Sequence, residues 1–127
     1  MSESHCHTSP SLSIVIPVRN DWTPLGNCLR SLARQTTLPA EVVVVDDGSS
    51  FPAPITITAE AWPFLLRVLR RPRVNVAAAR NAGISQTAGE LLCFVDADMV
   101  LEPSFLEELL RLVGEHPDDV AFQPQIV

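Results

Sequence analysis

The four consecutive valines of "EVVVVDDGSS" constrain this chain more than any other feature, because a β-branched run without polar alternation suits only a strand buried on both faces. Such a strand needs a layer above and a layer below its sheet. "LSIVIPV" (Leu12 to Val18) has the same character, and "FLLRVLRR" and "ELLCFVDAD" supply two further strands. "VAFQPQIV" is predicted as a last strand. Between these runs the period changes. Leu25, Cys28, Leu29 and Leu32 recur at helical spacing from Asp21 to Gln35, with Pro24 tolerable in the first turn. Asn75 to Thr87 is an alanine-rich helix ending before Gly89, and "PSFLEELLRLVGEH" keeps Phe105, Leu106, Leu109, Leu110 and Leu112 largely on one face. The proline-bearing segment Phe51 to Trp62 is predicted as loop or short helix. Strands alternating with helices define an α/β class: a doubly wound, mostly parallel sheet with helices on both faces.

At 127 residues, with no break in composition, the chain is expected to form one domain over residues 11–127 behind a disordered polar tail over residues 1–10. His5, Cys6 and His7 in that tail are metal-binding residue types, but a polar tail ending at Pro10 reads as disorder. The formal net charge of -6 argues against a nucleic-acid partner, whose affinity would rest on basic residues releasing counterions. The apolar runs are too short to cross a bilayer, so membrane association is expected only through regions outside this chain. Cys6, Cys28 and Cys93 form no disulfide framework, and "MSESHCHTSP" has neither the basic start nor the apolar core of a signal peptide. A cytoplasmic setting is the expectation.

In a doubly wound sheet the ligand lies outside the carboxyl ends of the strands, near a switch in strand order. That topology gathers "PVRND", "DDGSS", "NVAAARN" and "DADMV" on one rim. Asp96 and Asp98, read as alternate residues at the tip of the fourth strand, point to one side and repel unless something positive lies between them. Carboxylate oxygens suit a hard divalent cation that takes its other ligands from water and phosphate. Read alone, the pair is equally a set of solvated strand-end carboxylates. Asp46 and Asp47 can accept hydrogen bonds from a base or ribose, or can simply build a turn. Arg80 and Asn81, read as the start of a helix aimed at the rim, offer charge and donors to a phosphate, or else form a surface pair. Arg67, Arg70, Arg71 and Arg73 read as a solvated strand edge, and Trp22 and Trp62 as packing residues. The absence of lysine removes P-loop and haloacid dehalogenase chemistry, and no G-x-G-x-x-G follows the first strand. "PVRNDWTP" also lacks the glycine-rich loop of a sugar nucleotidyltransferase.

Taken in order, "SIVIPVRN", "QTTLPAEVVVVDDGSS", "AAARNAGISQTAGELLCFVDADM" and "PSFLEELL" closely resemble the donor half of family 2 glycosyltransferases of the GT-A fold. The resemblance implies a Rossmann-like, truncated nucleotide-binding half in which Pro17, Val18, Arg19, Asn20, Asp46 and Asp47 line a nucleoside pocket and Arg80, with Asn81, reaches the nucleotide. It implies that Asp96, Ala97 and Asp98 form the family's D-x-D, with Asp98 and then Asp96 binding Mn2+ or Mg2+. The implied partner is a UDP- or GDP-linked sugar, and the implied reaction is inverting transfer to a hydroxyl. Two departures stand out: Arg19 occupies a position that is often aromatic, and Val76 one that is often glycine. Family members continue past "VAFQPQIV" into an acceptor-binding half carrying the general base, so no catalytic residue is expected within this chain and the chain alone is expected to be inactive. The alternative is a non-catalytic nucleotide-binding or assembly module of the same fold, pairing into a homo-oligomer through an exposed sheet edge.

Overall fold

The computed structural model describes residues 10–115, which form eight elements. They are β1 (Leu12–Val18), α1 (Trp22–Ala33), β2 (Glu41–Asp47), α2 (Ile55–Thr58), β3 (Leu65–Arg71), α3 (Val76–Ile84), β4 (Leu91–Phe94) and α4 (Phe105–Glu115). The four strands are parallel and lie in the order β3-β2-β1-β4. Successive strands therefore step outward from β1 to β3, and the chain then returns to the other side of β1. The switch in strand order falls between β1 and β4.

Both faces of the central strands are covered, as the valine run requires. Ile14, Ile16, Val42 and Val44 point to one side and pack with Leu25, Cys28, Leu29 and Leu32 of α1 and Leu106 of α4, all fully buried. The residues between them, Val15, Val43 and Val45, point to the other side and meet Ala79 of α3. Here α3 rides unusually close to the sheet: a Cβ on Gly83 would stand 2.4 Å from Val15 Cγ1. Burying β2 along its whole length is thus possible because neighbouring side chains serve two separate cores.

Pairing register decides what the strand ends can build. Val18 is opposite Asp46, and Asp46 is opposite Arg70, so β1, β2 and β3 finish abreast. β4 instead ends at Phe94, opposite Val15. The fourth strand is therefore shorter than expected: Val95 donates one more hydrogen bond to the Val15 carbonyl (3.0 Å), after which Asp96 to Met99 form a turn closed by Met99 N–H on the Asp96 carbonyl (3.1 Å). Asp96 and Asp98 are turn residues, so strand alternation does not set their directions. Val95 misleads a sequence reading because it is buried (1% exposed) without being in the strand.

Three further expectations change. The arginines of β3 are tied inward as well as solvated: Arg67 lies 3.7 Å from Glu41, Arg70 donates to the Ser49 carbonyl (2.9 Å), and Arg71 reaches the Ala78 carbonyl (3.5 Å). Leu112 is exposed (38%), so it leaves the apolar stripe of α4. Arg80 and Asn81 fall inside α3 rather than at its start, which lies as expected at Asn75, whose side chain accepts from Ala78 N–H (2.8 Å) as an N-cap. The expected tail over residues 1–10 lies, up to residue 9, outside the described residues, as do His116 and the expected strand "VAFQPQIV". Among the described residues no helix is long and apolar enough to cross a membrane.

Candidate functional site

The rim is assembled by ties between loops that are far apart in sequence. Asn20 adopts a left-handed backbone (φ 65°), a conformation asparagine tolerates better than most residues. Its N–H donates to Ser49 Oγ (2.8 Å), and its Oδ1 accepts from Ser50 N–H (2.7 Å). The loop after β1 is thereby stapled to the loop after β2. Pro17 is half-buried and Val18 is buried beneath this staple, whereas Arg19 and Asn20 face solvent.

Asp46 and Asp47 are buried (1% and 6% exposed), and each carries structural duties. Asp46 Oδ1 accepts from Ser49 N–H (2.8 Å), while its Oδ2 lies 3.8 Å from Arg70. Asp47 Oδ1 accepts from Val74 N–H (3.1 Å), tying the end of β2 to the approach to α3. Of the two readings the sequence left open, the turn is therefore realised at Asp46. Gly48 (φ 78°) lets the chain reverse just after them, with Arg73 packed where a Cβ would be.

Arg80 stands in the second turn of α3, which corrects its expected place at the helix start. From there its guanidinium crosses the switch point: Cζ lies 5.7 Å from the Phe94 ring centre and Nη2 lies 3.9 Å from Asp96 Oδ1. Its Nε is buried without a hydrogen-bond partner, so the side chain keeps an unmet donor beside the carboxylate. Asn81, one residue on, is exposed on α3, and its backbone carbonyl accepts from Ser85 N–H (3.2 Å). The fold brings Arg80 to Asp96 and gives Asn81 no tie to the rim residues.

Asp96 and Asp98 are exposed, with buried Ala97 (8%) between them as an anchor into the core. The Cys28 thiol lies beneath the turn, its Sγ 3.8 Å from the Asp96 carbonyl. Burial pushes the Cys28 thiol up to about 12, and the nearby charges of Asp98 and then Asp96 push it the same way. Among the described residues no three His, Cys, Asp or Glu side chains cluster to hold a metal by themselves. Two exposed, hard carboxylates fit a divalent ion that completes its coordination with water and phosphate oxygens. The donor set matches Mn2+ or Mg2+ rather than a thiolate-bound metal.

Trp22 and Trp62 pack against the core, as expected, and their indole N–H groups donate to the carbonyls of Phe51 (3.1 Å) and Ile57 (2.8 Å). A groove lined by Thr58, Trp62, Phe64, Leu66 and Val68 follows β3 and is built from none of the rim residues. Ser49 belongs to the rim but drew no notice in the sequence beyond its turn chemistry. Ser31 and Gln35, both buried and bonded to the segment after β4, were also missed. Their signal was present: Ser31 is a polar residue set within the apolar face of α1, and Gln35 follows it one turn later at the end of the same helical spacing.

Residues 13–127 match the family model described as glycosyl transferase family 2. Glycosyltransferase GlyA of Streptococcus pneumoniae is 33% identical over 112 residues, covering 87% of this chain and 16% of GlyA. The uncharacterized glycosyltransferase YibD of Escherichia coli is 32% identical over 118 residues, covering 91% of this chain and 34% of YibD. Among solved structures, TarS of Staphylococcus aureus in complex with UDP-GlcNAc superposes with a TM-score of 0.72 at 27% identity, covering 84% of this chain and 32% of that one. The mannosyltransferase PcManGT of Pyrobaculum calidifontis, held with GDP-Man and Mn2+, reaches 0.76 at 24% identity over 84% of this chain and 33% of its own, a likeness of fold. The chain spans about a third or less of the length of these relatives. It belongs to glycosyl transferase family 2, and its sheet is that of the GT-A glycosyltransferases.

Proposed function

We propose that this chain is the donor-binding part of an inverting glycosyltransferase, which moves a sugar from a nucleoside diphosphate sugar to a hydroxyl acceptor. The observation that carries the reading is the arrangement at the switch point, where Arg80 approaches the exposed Asp96 of the D-x-D turn beside three strand ends that finish abreast. TarS, similar across most of this chain, has been captured with UDP and with UDP-GlcNAc, which supports a nucleotide-sugar partner.

In this reading Pro17, Val18, Arg19 and Asn20 form one wall of the nucleoside pocket, and Asp46 with Asp47 forms the floor. Asp47 is the better acceptor for a base or ribose, because Asp46 is committed to Ser49 and Arg70. Arg80, with Asn81 behind it, supplies positive charge toward the diphosphate, and its unmet Nε makes a rearrangement toward phosphate oxygen favourable. Asp98 and Asp96 would hold Mn2+ or Mg2+, with Ala97 fixing the turn between them. A bound divalent cation neutralises diphosphate charge and stabilises the departing nucleotide. The base that deprotonates the acceptor belongs to the acceptor-binding half, so this chain alone binds donor without completing transfer.

Thermal unfolding tests the reading. UDP or GDP added with Mn2+ should raise the melting temperature, because a ligand at a hundredfold excess over its Kd stabilises the folded state by about 2.7 kcal/mol. A chelator should return the temperature to its starting value. No shift with either nucleotide in the presence of Mn2+ would count against a competent donor site.

A further inference from the structure

Helix α1 and the residues just past its C-terminal end present polar side chains to the interior. Cys28, Ser31 and Gln35 succeed one another at about one-turn spacing and are 0%, 2% and 6% exposed. Each of them engages the segment that follows β4. Cys28 Sγ–H points to the Asp96 carbonyl (3.8 Å). Ser31 Oγ–H donates to the Cys28 carbonyl (2.7 Å), and the same oxygen accepts from Leu101 N–H (3.1 Å). Gln35 Nε2 donates to the Glu102 carbonyl (2.6 Å), and its Oε1 accepts from Leu106 N–H (2.9 Å). Leu106 is in the first turn of α4, where a helix supplies no acceptor of its own for the N–H. Gln35 therefore caps α4 from the loop that leaves α1.

These contacts replace the sheet ladder where it stops. Beyond Val95 the segment has no strand partner among the described residues, and the bonds from Ser31 and Gln35 hold its backbone there. We propose that Ser31 and Gln35 are positioning residues for Asp96 and Asp98, fixing the turn that carries both carboxylates by gripping its exit at Leu101, Glu102 and Leu106. Cys28 supports the same turn from below. The proposal rests on the reading of Asp96 and Asp98 as the metal and diphosphate site.

Two variants, Ser31→Ala and Gln35→Leu, are compared with Leu32→Ala, which removes core packing from the same helix without touching the segment. Hydrogen exchange is followed at Met99, in the turn, and at Val43 and Val44, in β2. The proposal expects Ser31→Ala and Gln35→Leu to lower protection at Met99 by about tenfold relative to β2, the effect of losing one buried hydrogen bond. Leu32→Ala should lower turn and strand together. The Mn2+-dependent affinity for UDP or GDP should fall by a similar factor in the first two variants. Met99 protection that stays level with β2, or Mn2+-dependent affinity equal to wild type, overturns the proposal. If wild type binds neither nucleotide with Mn2+, the donor-site reading falls by itself, and the exchange comparison still decides whether α1 holds the turn. If Gln35→Leu does not fold, Ser31→Ala carries the same comparison.

Discussion

Gly48 is the residue on which the rim's geometry turns. Its φ of 78° is strained for any side chain, and a Cβ would also stand 2.6 Å from the Arg73 Cβ and 2.7 Å from the Arg73 nitrogen. Backbone cannot yield as a flexible side chain can, so Gly48→Ala should cost about 2 kcal/mol or more. A lowered urea midpoint with unchanged slope is the expected result. An unshifted midpoint would mean that the loop relaxes freely. The turn itself was legible in "DDGSS", since glycine and serine after aspartate are turn residues. The left-handed Asn20 and its two bonds to Ser49 and Ser50 were not, because nothing local in "PVRN" shows which distant loop it will meet.

Elements are held to one another by buried polar bolts as well as by apolar packing. Glu41 opens β2 and is 4% exposed; its Oε2 accepts from Ser13 Oγ (2.6 Å) and Ala88 N–H (2.6 Å), while Arg67 stands 3.7 Å from its Oε1. Burial alone would raise its pKa, but the bonds from Ala88 and Ser13 and the charge of Arg67 together outweigh it, leaving the carboxyl below its ordinary value. A lowered folded pKa means that the unfolded chain takes up the proton first. The stability Glu41 contributes is therefore complete above the ordinary glutamate value and is lost as pH falls through the lowered folded value. Glu41→Gln should flatten that acid limb and cost about 1–3 kcal/mol at neutral pH. Urea titrations across the acid range check this; an unchanged limb would show that other carboxylates control it.

At Gly83 two effects oppose one another. Alanine is favoured over glycine inside a helix by about 1 kcal/mol, whereas forcing a methyl into a packed core costs about 1–3 kcal/mol. With 2.4 Å to Val15 Cγ1 the steric effect should win, so Gly83→Ala should lower the melting temperature. A rise would mean that α3 can retreat from the sheet without loss. Strands β1 and β2 were legible to their ends because each is built around a β-branched apolar run and is followed by turn-forming residues. β4 was overextended because periodicity cannot separate a strand residue from a buried loop residue such as Val95. The start of α3 at Asn75 was readable, yet Arg80 was placed a full turn too close to it.

For the whole molecule, register and topology together create the site. Three strands finish abreast, β4 stops opposite Val15, and the returning chain places the Asp96–Asp98 turn in the resulting notch beside β1. The ordered motifs made the fold class and the rim loops legible in the sequence. The ties that make the rim rigid, from Asn20 to Ser49 and from α1 to Leu101 and Glu102, join residues between 29 and 70 positions apart and arise only on folding. The central claim is that this rim binds a nucleoside diphosphate through a cation held at the D-x-D. Calorimetric titration with UDP and GDP, each with Mn2+ and with chelator, on wild type and Asp98→Ala tests it most directly. The account predicts saturable binding that requires both Mn2+ and Asp98. A folded, monomeric chain that binds neither nucleotide, or binds equally well without the metal and without Asp98, would contradict it.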